Sequence, residues 1–288
     1  MTFSVAPAAS RNRPSIEGKL MIYNRFKSRL TDGSAPQLGT WLMSAAPSTA
    51  EAMGFCGFDF LVVDMEHVAI EVADMASLLR AVSGTPADAV VRIAWNDQVL
   101  IKRVLDGGAK SIMVPFVQNA DEARAAVSFT RYPPEGVRGV AAIHRGSRYG
   151  RMEGYFARAN QDVAVIVQIE TAAAVERIAE IAAVPGVDAL FLGPGDLAAS
   201  LGHIGNIAHP DVQELIALAA RSAEKAGKPI GIVGPNPEMV RRFLGYGYKF
   251  AAVSSDMAMM TGRATEWLLA LRGVQEAGSV PPGPEAAY

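Results

Sequence analysis

Short runs of branched apolar residues alternate with stretches of helical period along nearly the whole chain. The runs predict strands at 38–43, 60–64, 89–93, 111–115, 164–170, 189–193, 229–233 and 250–254. Helical patterns separate them, at 49–54, 71–82, 98–106, 120–129, 172–183, 212–225, 237–244 and 257–271. A short amphipathic stretch, 24–30, precedes the first strand. Eight strand–helix units in about 250 residues match the size of a closed (β/α)8 TIM barrel. Near-continuous Val, Ile and Leu runs fit parallel strands covered by helices on their outer face. An open doubly wound sheet is the alternative, but it calls for a glycine-rich dinucleotide turn after an early strand, and none is present.

One connection breaks the rhythm. Residues 131–162 contain R-Y-P-P-E-G-V-R-G-V-A-A-I-H-R-G-S-R-Y-G before another short helical stretch. Loops this long are functional, form subunit contacts, or simply decorate a surface. The expected organisation is a flexible extension over 1–23, the barrel over 24–272 and a flexible Pro/Gly-rich tail over 273–288.

Composition narrows the partners. The 288 residues are 50% hydrophobic and 19% charged, with a formal net charge of −2 and no basic cluster, which argues against nucleic acid. The single cysteine, Cys56, excludes a disulfide framework and a cysteine-based zinc site. No apolar run reaches membrane-spanning length and no secretory pattern opens the chain. A cytoplasmic protein without nucleic-acid or membrane partners is expected.

Chemistry concentrates where strands end. The run V-A-V-I-V-Q-I-E ends on Glu170, and A-L-F-L-G-P-G-D leads to Asp196. A strand–helix–strand unit makes these strands parallel neighbours, about 5 Å apart. Two carboxylates that close repel unless one is protonated or a cation bridges them, and a hard divalent metal is the economical bridge. The plainer reading is a pair of solvated loop acids or helix caps. Other strand ends add to the set: D-M-E-H supplies Asp64, Glu66 and His67, and V-V-R-I supplies Arg92. Gln168 and Glu170, two residues apart, face the same way, into the barrel mouth. Arg92 requires an anionic partner, either a substrate carboxylate or enolate, or a structural pair with Asp64 or Glu66. His67 suits a general base or a loop hydrogen bond. His144, His203 and His209 lie in loop-like segments and are not assigned to catalysis. A Schiff-base mechanism needs a lysine at a strand's carboxyl end, whereas Lys110, Lys228 and Lys249 sit at strand starts.

Taken in order, L-G-T-W, G-F-D-F-L-V-V-D-M-E-H, V-V-R-I-A-W-N-D, I-K-R-V-L-D-G-G, P-F-V-Q-N-A-D-E-A, R-Y-P-P-E-G-V-R-G-V, V-Q-I-E-T and F-L-G-P-G-D-L-A resemble the class II, metal-dependent pyruvate aldolases. These cleave 2-dehydro-3-deoxyglucarate or 4-hydroxy-2-oxoheptanedioate. The resemblance covers residues 26–271. It implies that Glu170 and Asp196 ligate a divalent metal (Mg2+, Mn2+ or Co2+), with Gln168 beside it. It further implies that Arg92 binds the pyruvyl group, that His67 is catalytic with Asp106 orienting it, and that Asp64 and Glu66 surround a metal-bound water. Gly195 and Asp196 are expected at the substrate.

The family is similar to trimers of dimers, a homohexamer with the C-terminal helix exchanged between subunits and active sites near subunit boundaries. The implied reaction is reversible retro-aldol cleavage of a 2-oxo-4-hydroxy acid to pyruvate and an aldehyde, in aromatic or sugar-acid catabolism. The alternative is a citryl- or malyl-CoA-type lyase. Two departures stand out. Met65 replaces a frequent glycine, and G-P-G-D replaces G-P-A-D or G-P-S-D. Arg92→Ala is expected to abolish cleavage and leave the fold intact.

Overall fold

The computed structural model describes residues 24–33 and 35–273; the extension over 1–23 and, apart from Gly273, the tail fall outside them. Eight parallel strands close in sequence order: β1 (Gln37–Leu42), β2 (Phe60–Asp64), β3 (Asp88–Arg92), β4 (Ser111–Val114), β5 (Ala164–Ile169), β6 (Ala189–Leu192), β7 (Ile230–Gly234) and β8 (Phe250–Ser255). The surrounding helices are α1 (Arg25–Arg29), α2 (Pro47–Gly54), α3 (Val72–Val82), α4 (Gln98–Asp106), α5 (Ala120–Thr130), α6 (Tyr155–Asp162), α7 (Ala172–Glu176), α8 (Ile178–Ala182), α9 (Pro194–Ser200), α10 (Pro210–Lys225), α11 (Pro237–Gly245) and α12 (Asp256–Leu271). The barrel is therefore the one expected from periodicity. Two details differ. The helix expected over 172–183 breaks at Arg177 (φ −99°, ψ 8°) into α7 and α8. After β6, Pro194 starts the extra short helix α9, since its fixed φ and missing N–H suit a first helical position.

Strand alternation sorts the core into two shells. Outward residues such as Leu61, Val63, Val91, Val165 and Val167 join the layer under the helices. Inward residues Phe60, Val62, Val90, Met113, Ile166, Phe191 and Phe250 fill the barrel. α1 closes the N-terminal end. Its Phe26 is fully buried and meets Phe60 and Phe250 edge-on at 5.3 and 5.6 Å. Burying such a ring contributes about 1.5–3 kcal/mol. The rings fit because Gly39 and Gly231 face them: a Cβ on Gly39 would lie 2.5 Å from Phe60, and one on Gly231 would overlap Phe250. The same alternation, continued toward the carboxyl ends, turns Asp64, Arg92 and Gln168 inward above this apolar filling.

α12 is packed unlike the other long helices. Only Asp256 is buried, whereas Met260, Trp267, Leu268 and Leu271 are exposed, Trp267 to 65%. Asp256 anchors the helix start by accepting the N–H groups of Met43 and Ser44 through its two carboxylate oxygens.

Candidate active site and metal centre

The carboxyl ends of β2, β3, β5 and β6 bring together seven of the expected residues, Asp64, Glu66, His67, Arg92, Gln168, Glu170 and Asp196. Register places Asp64 directly opposite Arg92, the last residues of neighbouring strands. The guanidinium grips Asp64 with both arms, Nε to Oδ1 at 2.9 Å and Nη2 to Oδ2 at 2.7 Å. It also lies 2.9 Å from Glu66 Oε2 through Nη1 and stacks on the Trp41 ring, 4.2 Å from its centroid. Asp64, fully buried, further accepts the N–H groups of Glu66 and His67. It therefore holds Arg92 and the following loop in place, and both its oxygens are occupied. The structural ion pair and a ligand-facing Arg92 coexist, because one guanidinium carries five donors.

Glu170 follows β5 and is 1% exposed. Its Oε1 accepts from Gln168 Nε2 and its Oε2 from the backbone N–H of Phe116. Phe116 adopts a left-handed conformation (φ 52°), unfavourable for a bulky residue, that supports this contact. Gly193 is required on the other side, since a Cβ there would lie 2.6 Å from Glu170 Oε1. Asp196 sits in the first turn of α9, where the helix N-terminus favours its negative charge. Gly195 is buried in that turn, and it is Gly193 that borders the cavity.

Glu170 and Asp196 line a cavity of about 30 Å³, bordered also by Trp41, His67, Arg92 and Gln168, and Glu66 lies close enough for its charge to act on Glu170. Burial, then the charges of Glu66 and Asp196, push the Glu170 carboxyl up to about 8. Burial also raises Glu66, with Asp64 and Asp196 adding to it and Arg92 and His67 opposing. One buried acceptor, Gln168 Oε1, lacks a hydrogen-bond partner. Repelling acids, an orphaned acceptor oxygen and room for about one water-sized body are what a hard divalent cation would satisfy. The donors present fit it, with Glu170 and Asp196 as carboxylate ligands and other positions left for water or substrate.

His67 is at the rim, its side chain 55% exposed, with Nε2 3.9 Å from Glu66 Oε2. Asp106 is elsewhere. It ends α4, which runs back along the barrel for nine residues, about 13 Å, toward the opposite mouth. There it accepts from Arg138 at 2.7 Å and lies 3.8 Å from His144 Nε2. Asp106 and His67 are therefore not paired within one chain. Met65 joins the layer between strands and helices and is absent from the cavity wall. Lys110 and Lys249 immediately precede β4 and β8, and Lys228 lies two residues before β7, all at the far mouth. His203 and His209 stack at 3.5 Å beside Asp211, forming among the described residues the trio of ligand atoms within 4.8 Å of one another. That trio caps α10, with His209 Nδ1 accepting the N–H of Asp211. Trp41, Phe116 and Gly193 went unassigned from sequence. Trp41 had a signal in its place at the end of an inward-facing strand, whereas the left-handed turn at Phe116 has none.

The HpcH/HpaI aldolase/citrate lyase family matches residues 37–261. A 2-dehydro-3,6-dideoxy-6-sulfogluconate aldolase from Pseudomonas putida is 60% identical over 84% of this chain and 94% of its own. A 5-keto-4-deoxy-D-glucarate aldolase from Klebsiella pneumoniae is 44% identical over 82% and 92%. The crystal structure of a Burkholderia cenocepacia protein of the same family superposes with a TM-score of 0.84 at 41% identity, covering 86% of this chain and 99% of that one.

Proposed function

The chain belongs to the HpcH/HpaI aldolase/citrate lyase family, and from that premise we propose that it is a carbon–carbon lyase working at the carboxyl-end mouth of its barrel. The reaction is reversible retro-aldol cleavage of a 2-oxo-4-hydroxy acid, of the 2-dehydro-3-deoxy sugar-acid type, to pyruvate and an aldehyde. The names of both relatives describe six-carbon acids with an anionic group at each end. The substrate class assigned here is accordingly a doubly anionic 2-oxo-3-deoxy acid whose aldehyde product keeps one anion. The observation that carries the reading is buried Glu170, which shares one small cavity with Asp196 and Arg92 and feels the charge of nearby Glu66.

Glu170 and Asp196 would hold a divalent metal, which when bound would supply a fixed positive charge to polarise the 2-oxo group. The remaining work falls to the protein's own side chains. Arg92, held by Asp64 and Trp41, presents a preorganised positive charge to the pyruvyl oxygens as electrons move onto them. Gln168 fixes the Glu170 carboxylate. His67, at the rim, takes the 4-hydroxyl proton. The C3–C4 bond then breaks, its electron pair stays on C3, C4 leaves as the aldehyde carbonyl, and C3 regains a proton to give pyruvate. A thioester substrate is less well supported, since among the described residues Arg92 is the one guanidinium or ammonium group lining this cavity.

The working unit is a homo-oligomer. The support is α12, which leaves Trp267, Leu268 and Leu271 exposed, as suits a helix exchanged with or docked on a second copy. Since Asp106 does not meet His67 within one chain, an orienting role for Asp106 is assigned to the His67 of another copy. Among the described residues no helix is long and apolar enough to cross a membrane, and a cytoplasmic location is the reading adopted. The test is pyruvate release from 2-dehydro-3,6-dideoxy-6-sulfogluconate and 5-keto-4-deoxyglucarate. Activity removed by EDTA and restored by manganese or magnesium is expected; full activity after verified metal removal would exclude the Glu170–Asp196 centre.

A further inference from the structure

We propose that the amino-end mouth of the barrel carries a second binding site, for a small phosphate-bearing molecule, in the cavity between α3, α4, α6 and the 138–150 loop. The cavity measures about 790 Å³, within the size range of metabolite sites. It lies at the starts of β3 and β4 and the ends of α3 and α4, the far side of the barrel from Glu170. The inference touches the proposed function only through Arg138, whose partner Asp106 is assigned to the His67 of another copy.

Charge is the first argument. Arg25, Arg80, Lys110, Arg138, Arg145 and Arg148 line the cavity, against two carboxylates, Asp88 and Asp162. Asp88 is engaged by Arg25 at 2.8 Å, and Arg138 is engaged by Asp106 at 2.7 Å. Among the described residues no carboxylate lies within 4.0 Å of Arg80, Arg145 or Arg148. The cations also act on one another. Burial and then Arg80 lower the proton affinity of Arg145, and burial and then Arg148 lower that of Lys110. The negative ends of α3 and α4 absorb part of this charge, with Arg145 Nη1 donating to Gly107 O at 3.3 Å. Several forked donors remain, and phosphate oxygens match them in geometry and charge.

Construction is the second argument. Gly108, at φ 105°, leaves the space that Arg145 fills, because a Cβ there would overlap Nη1. Gly146 packs against Leu105 O, where a Cβ would lie at 2.8 Å. Buried Ser147 pins the loop, donating to Ala142 O at 2.8 Å and accepting the N–H of Gly150 at 3.1 Å. Arg148 and Tyr149 are both held left-handed, at φ 50° and 57°, an uncommon pair for residues other than glycine. On the inner wall Arg138 is 1% exposed and its Nε has no hydrogen-bond partner. The G-G after Asp106 and the long R-G-S-R-Y-G loop thereby acquire one shared purpose.

The test uses the full-length, EDTA-treated protein, titrated calorimetrically with inorganic phosphate and pyrophosphate at ionic strength matched by sodium chloride. Saturable binding of one anion per chain is expected, with at least tenfold weaker binding in the Arg145→Gln/Arg148→Gln double variant and unchanged binding in Arg92→Lys. Circular dichroism verifies the fold of each variant. Should the double variant fail to fold, Arg80→Gln, on the opposite wall, carries the same expectation. Absence of binding to the wild-type protein, a response reproduced by chloride alone, or binding lost in Arg92→Lys and kept in the loop variants would each overturn the proposal.

Discussion

The two mouths of this barrel hold opposite charges in opposite ways. At the carboxyl end Glu170 and Asp196 share with Arg92 a cavity of about 30 Å³ walled in part by Trp41 and Phe191, and Glu66 lies beside the guanidinium. At the amino end six bases line some 790 Å³ against two acids. Both are electrostatically unfavourable as they stand, but the sealed end suffers more, because little water reaches its charges to screen them. That is why Glu170, nearly fully buried, is driven up to about 8. Confinement favours a compact cation bound by few ligands. Openness favours a larger anion.

Four changes test that contrast. Glu170→Gln removes a metal ligand and is expected to lower kcat/KM about a thousandfold, on the order of 4 kcal/mol of lost stabilisation; steady-state pyruvate release measures it. Arg92→Ala should also abolish turnover, but the structure revises the expectation that the fold is indifferent. Cutting away the guanidinium leaves Asp64 buried and unpaired, a cost of about 3–5 kcal/mol, so denaturant midpoints should fall together with activity. Arg92→Lys keeps the charge, loses the two-armed grip, and should hold more of its stability than the alanine variant.

The third change is pH. In metal-free protein Glu170 keeps its proton up to about 8, against an ordinary value near 4.5. Below 4.5 both folded and unfolded chains hold the proton and no penalty arises. Between 4.5 and 8 the unfolded chain releases it and the folded chain does not, so stability falls, by up to about 5 kcal/mol. Thermal melts across this window should show the slope; Glu170→Gln or saturating divalent metal should flatten it. The smallest expected effect comes from Gly193→Ala. The added methyl displaces the Glu170 carboxylate, and metal affinity should drop about tenfold with little change in melting temperature.

Much of this was legible from residue pattern. Eight apolar runs fixed the strand count, and Gln168 and Glu170, two apart, had to face inward together. Neighbouring parallel strands had to bring Glu170 near Asp196. Other features depend on tertiary contacts that no local pattern encodes. The choice of Asp64 as partner for Arg92 follows from β2–β3 register, and either Asp64 or Glu66 satisfied the sequence. The N–H of Phe116 reaches Glu170 only because its backbone turns left-handed. The length of α4 carries Asp106 to the other mouth of its own barrel, so the pairing with His67 that the resemblance implies is one between copies. The basic cavity gathers Arg80, Lys110 and Arg145 from three separate elements, so no charge cluster marks it along the chain.

The most direct measurement is manganese stoichiometry and affinity by calorimetry for the wild-type chain, Glu170→Gln, Asp196→Asn and His203→Ala/His209→Ala. The account predicts one ion per chain in the wild type, binding lost or greatly weakened in each acid variant, and unchanged binding in the histidine pair. Binding retained by Glu170→Gln and Asp196→Asn but lost with His203 and His209 would contradict it, placing the metal at the start of α10 instead.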